Sequence, residues 1–179
     1  MIIQTLIKAT ILAATASAAN IPMKRDAADS FRLWANTTYP DLPPDFGPNV
    51  QGYELSYNPN ADCQADVTLV PAGQGSVFRS DGDTVGVTHF SDESSPSASL
   101  IIIPGGTSTV PDGRPIKLKC APGTPGVLVT EKGLDYPKET GSNGGFMACK
   151  EDGGLQLAFF RQGQRPLYGC TVVQLLPKY

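Results

Sequence analysis

The side chains that could do chemistry are few and scattered. His89 is the only histidine in the chain, so any Ser–His–Asp or Cys–His arrangement must use it. It falls in the alternating run Thr84–Phe90, on the face of Val85 and Val87, where it is expected to be a hydrogen-bonded core residue. No serine sits in a G-x-S-x-G elbow. Gly106-Thr107-Ser108-Thr109-Val110 comes nearest and ends in Val. Glu54, Asp135, Glu139 and Glu151 are the carboxylates that could flank a glycosidic bond, yet no spacing singles out a pair. The Asp81-Gly82-Asp83 segment puts Val85 where an EF-hand loop needs an oxygen ligand. That leaves at most a looser oxygen site shared with Asp92 and Glu93. Gly73-Gln74-Gly75 does not complete a dinucleotide fingerprint, because Phe78 takes the last glycine's place. No cofactor and no metal are expected.

The cysteines point elsewhere. There are four, and none lie within the C-x₂₋₄-C spacing that zinc sites use. In an oxidising compartment an even number implies disulfides. Four cysteines allow three connectivities. The expected pairing is Cys63–Cys120 with Cys149–Cys170, each worth roughly 3–4 kcal/mol by loop-closure entropy.

The N-terminus supplies the compartment. Residues 1–19 combine Lys8, an apolar stretch from Ile2 to Ala14, and a small-residue end, Ala16-Ser17-Ala18-Ala19. This is the grammar of a cleavable secretory signal, shorter than the ~20 apolar residues of a bilayer span. Lys24-Arg25 then offers a dibasic processing site, so 20–25 reads as a propeptide and 26–179 as one β domain. The full chain carries 14 basic and 17 acidic residues, a formal charge of −3. Losing Lys8, Lys24 and Arg25 leaves 11 basic residues and a charge of −6. Such a surface repels phosphates, so no nucleic-acid partner and no membrane span are expected.

Behind the scattered polar groups lies an all-β pattern. Gly (19) and Pro (16) interrupt the chain throughout, and the runs between them alternate with period two. Phe31–Thr37 places Phe31, Leu33 and Ala35 on one face and Arg32, Trp34 and Asn36 on the other. Further strands are expected at Tyr53–Tyr57, Asp66–Pro71, Ser76–Ser80, Thr84–Phe90, Pro115–Cys120, Val127–Val129, Phe146–Lys150, Leu155–Phe160 and Cys170–Leu176. Leu100–Ile103, four aliphatic residues in a row, reads as a strand buried on both faces. Asp81-Gly82-Asp83 and Gly153-Gly154 read as hairpin turns. Residues 39–48, 91–99 and 131–143 read as surface connections. About 9–11 strands should fold over into an antiparallel sandwich or barrel-like domain, with no significant helix after the signal.

Two features bear on ligands. Asn36-Thr37-Thr38 is the only N-x-[ST] sequon and a candidate glycosylation site. Trp34, Tyr53 and Tyr57 are candidate ligand-facing aromatics, since flat rings stack against sugars while their polar edges hydrogen-bond. The competing reading puts them in the core.

Phe31-Arg32-Leu33-x-Ala35-Asn36, Val50-Gln51-Gly52-Tyr53, Ala121-Pro122-Gly123-Thr124-Pro125-Gly126-Val127, Gly145-Phe146-Met147-Ala148-Cys149 and Gly169-Cys170-x-x-Val173-x-Leu175-Leu176-Pro177 occur in that order. The ordered set resembles a group of small fungal secreted proteins defined only as a domain of unknown function. Ala61–Ser99 departs from the pattern. The resemblance implies secretion and a β-rich domain; it supplies no activity and no catalytic residue. The expectation is a secreted, disulfide-bonded, non-catalytic extracellular or cell-wall protein. Its expected partner is a wall polysaccharide or another extracellular protein. The rival readings are a carbohydrate-active enzyme or binding module, and a structural coat component.

Overall fold

The computed structural model describes residues 30–38, 47–105 and 113–179. The expected leader at 1–19, the segment 20–25, most of the 39–48 stretch and Gly106–Val110 lie outside the described residues.

Twelve strands and one helical turn follow in order: β1 Ser30–Thr37, β2 Glu54–Tyr57, β3 Gln64–Val70, β4 Phe78–Asp81, β5 Thr84–Val87, β6 Ala98–Ile102, β7 Arg114–Lys119, β8 Leu128–Thr130, β9 Gly133–Asp135, α1 Pro137–Thr140, β10 Gly145–Glu151, β11 Gly154–Phe160 and β12 Cys170–Lys178. Ten of the strands form one antiparallel sheet, in the order β10-β12-β1-β2-β3-β11-β7-β6-β5-β4. Additional pairings β10–β11, β1–β4 and β3–β7 fold that sheet back on itself. The protein is therefore all-β, with the closed, layered form of a sandwich or barrel.

Closure depends on strands that change partner midway. Ser30 and Phe31 of β1 pair with β4, while Arg32–Thr37 pair with β12. Gln64–Asp66 of β3 pair with β7, and Val67 onward pairs with β2. Arg114 and Pro115 of β7 pair with β11, and Ile116–Lys119 with β6. Pro115 can occupy a strand here because it lies at this changeover, where a missing N–H interrupts the ladder least.

The inward face of every long strand is apolar. Leu33, Leu55, Val67, Phe78, Leu100, Leu118, Leu157, Phe159 and Leu175 are buried in one cluster, each contributing about 1.5–3 kcal/mol by leaving water. A second, smaller cluster lies on the outside of the sheet: Met147, Cys149, Ala158 and Phe160, packed against Leu167 and Val172. It explains why both faces of β10 are buried from Phe146 to Cys149.

Several expectations change. His89 is exposed and lies beyond β5, which ends at Val87. Only its carbonyl is engaged, accepting the Tyr57 hydroxyl at 3.2 Å. Phe90, not His89, turns back into the core. The aliphatic run in β6 is not buried on both faces. Leu100 and Ile102 are buried, whereas Ile101 is half-buried opposite Lys117. The polar 131–143 connection contains β9 and α1. Leu134 within β9 and Tyr136 just after it are buried in the core cluster. The hairpin turns are Gly82-Asp83 and Asp152-Gly153, since Asp81 pairs with Thr84 and Glu151 with Gly154.

Candidate functional site

Each candidate carboxylate proves to have its own local place. Glu54 is buried at 6% exposure. Its Oε2 accepts the N–H groups of Gly73 and Gly75 at 3.0 and 2.9 Å and faces Arg32 Nη1 at 3.3 Å. The Gly75 amide, seconded by Gly73 and Arg32, holds its pKa below the ordinary value against the opposing effect of burial. Glu139 binds the buried guanidinium of Arg114, whose Nε donates to the Ile103 carbonyl at 3.0 Å. The same guanidinium carbon sits 5.5 Å from the centre of the Phe159 ring. Burial, followed by the Glu139 charge, raises the pKa of Tyr136. Asp135 accepts the Tyr136 N–H at 2.7 Å. Glu151 is exposed at the end of β10. The four are thus divided among a loop anchor, a buried brace, a local turn and a hairpin tip. Among the described residues, no group of three or more His, Cys, Asp or Glu could hold a metal ion.

The three aromatics separate as well. Tyr57 turns inward, its ring centroid 5.7 Å from Phe90 in a stack and 6.3 Å from Phe78 edge-on; burial raises its pKa. Trp34 is half-buried on the opposite face of β1 from Phe31, Leu33 and Ala35. Tyr53 packs against the core cluster yet also lines a cleft.

That cleft, of about 860 Å³, lies between residues 47–49, the β10–β11 hairpin and the turn that leads into β12. Its apolar wall is Tyr53, Leu155, Leu167, Tyr168 and the Cys149–Cys170 disulfide. Its polar rim is Asn49, Lys150, Glu151 and Asp152. A contact between distant parts of the chain and one tight turn build it. Thr171 Oγ1 donates to the Pro48 carbonyl at 2.6 Å, and a side chain at Gly47 would strike Thr171 and the Cys170 backbone. The Cys170 N–H bonds the Leu167 carbonyl at 3.2 Å, and Gly169 has φ 79. These are the marks of a type II turn, whose third position calls for glycine. Tyr168 sits at its tip with 84% exposure, while Leu167 beside it is packed onto the outer cluster. A smaller cleft, about 450 Å³, is lined by Phe31, Arg32, Glu54, Val77, Lys178 and Tyr179.

Tyr168 was invisible to strand periodicity, being in a loop. The signal that could have found it is Leu-Tyr-Gly directly before a cysteine, which reads as a disulfide-anchored turn with an aromatic at its tip.

Both disulfides join residues on neighbouring elements. Cys149 and Cys170 are directly opposite on β10 and β12. Cys63 and Cys120 flank the β3–β7 pairing. The fold and its staples define a disulfide-bonded all-β domain, with the kind of cross-linking an oxidising extracellular compartment permits. No helix among the described residues is long and apolar enough to cross a membrane. Residues 28–179 match the model of a family described as a domain of unknown function, DUF7907, and the chain belongs to that family. No curated protein and no solved structure matches it.

Proposed function

We propose that the protein is a secreted, non-catalytic binding protein of the extracellular space or cell wall, and that the 860 Å³ cleft holds a segment of a neutral or amino-sugar polysaccharide. The observation that carries this reading is the pairing of Tyr53 and Tyr168 in one cleft. One ring is fixed by core packing, and the other is held out at a rigid turn. Pyranose rings present apolar C–H faces to such rings and hydroxyls to the surrounding polar groups; Asn49, Lys150, Glu151 and Asp152 supply those groups. The acidic pair at the rim and the acidic surface of the mature chain favour uncharged or cationic sugars over anionic ones.

The test is retention on insoluble chitin, β-glucan and isolated wall material, with calorimetry on the soluble oligomers of whichever is bound. Tyr168→Ala, at an exposed turn tip, should leave the melting temperature unchanged and weaken binding at least tenfold. Clean flow-through of the wild-type protein on all three materials would defeat the polysaccharide reading, as would full affinity in Tyr168→Ala.

A further inference from the structure

We propose that Asn36 carries an N-linked glycan, and that the first sugar of that glycan packs on Trp34. The two side chains occupy successive outward positions of β1, because Phe31, Leu33 and Ala35 between and before them fill the core. Two residues along a strand span about 6.6 Å, within reach of one pyranose ring attached to the Asn36 amide. Trp34 lies between Leu176 of β12 and Glu54 of β2 in the strand register. It lines neither of the two clefts. It is also the only tryptophan in the chain, a large ring placed on the wet side of a sheet.

The amide of Asn36 is already oriented. Its Nδ2 donates to Gln174 Oε1 at 3.4 Å, and its Oδ1 accepts from Gln51 Nε2 at 3.3 Å. Nδ2 carries two hydrogens, and the bond to Gln174 uses one. Glycosylation replaces one N–H by a bond from Nδ2 to the anomeric carbon of N-acetylglucosamine. The donor is a lipid-diphosphate oligosaccharide; its diphosphate leaves with the electron pair of the broken C–O bond, and the amide proton passes to base. The remaining N–H can still donate to Gln174, so both side-chain bonds survive the modification. Thr38, the sequon hydroxyl, is exposed just beyond the strand end. Strand geometry thus gives the attached sugar a platform on its own chain.

The experiment uses the full chain secreted from a eukaryotic host. Peptide mass mapping should find Asn36 occupied, and Thr38→Ala should abolish that occupancy. With one tryptophan, intrinsic fluorescence reports Trp34 alone. The glycosylated protein should show a blue-shifted emission and at least twofold weaker acrylamide quenching than Thr38→Ala. Trimming the glycan to its single innermost N-acetylglucosamine should keep that protection, because only the first ring is in contact. An unmodified Asn36 in secreted protein overturns the proposal. So does quenching that is identical in the glycosylated and Thr38→Ala proteins.

Discussion

Glu54 accepts the N–H of Gly75 at 2.9 Å, and a methyl group at Gly75 would collide with that same glutamate. The loop after β3 is therefore shaped around a buried carboxylate. Replacing Glu54 by Gln keeps the shape but removes the charge from hydrogen bonds to two amides and one guanidinium. A loss of about 1.5–3 kcal/mol is expected, read as a lower urea midpoint with an unchanged slope.

The same carboxylate gives an acid limb. Its folded pKa lies below the ordinary value of 4.5, so its contribution is complete above that value. It fades as the pH falls from there through the depressed folded value, where protonation ends it. Thermal melts from pH 7 down to pH 3 should show this decline in the wild type and a smaller decline in Glu54→Gln. Parallel curves would refute the assignment.

Arg114→Met should be costly, because it leaves Glu139 facing a partner that is gone and removes the cation over Phe159. Breaking a buried pair costs about 3–5 kcal/mol. Glu139 keeps some solvent contact, which places the expectation near the lower end. Arg114 also lowers the pKa of Tyr136, so its removal should move that phenol still higher. Spectrophotometric tyrosine titration of the variant checks the direction.

The two disulfides close loops of different length, with sequence separations of 57 for Cys63–Cys120 and 21 for Cys149–Cys170. Loop entropy gives roughly 4 and 3 kcal/mol respectively. The paired Cys149→Ala, Cys170→Ala variant should nonetheless lose more polysaccharide affinity than the Cys63→Ala, Cys120→Ala variant. Only the former disulfide fixes the turn that carries Tyr168 and forms a wall of the cleft. Equal losses of affinity would contradict that role.

The strands were legible where one face is apolar and the other wet, as in β1 and β7. Which faces are buried was not legible where tertiary cover replaces alternation, even where the strand itself was, as in β10. Met147 and Cys149 are buried on the outside of the sheet, a burial that no strand period announces. Val85 and Val87 suggested a strand that would carry His89 inward. The chain instead leaves the ladder after Val87, and Phe90 fills the core. β8 was legible at Val127–Val129, but its partner β9 is three residues long and follows Glu131-Lys132, too short and too close to charge to stand out from a loop. The candidate cleft was half legible. Tyr53 is in a recognisable strand approach, whereas Tyr168 and the residue 47–49 wall come together only through the closure of the sheet.

That closure sets the order of events during folding. Arg32 is paired with Lys178, so although β2 and β4 can reach β1 early, its edge toward β12 finds a neighbour only after every strand from β2 to β11 has been delivered. A chain emerging N-terminus first would hold β1 without its β12 partner until the end, and contacts of such long sequence separation form slowly. The C-terminal strand then acts as the latch of the fold. Shortening β12 from its end would leave the opening strand with an unpaired edge, and the chain open to pairing with its neighbours.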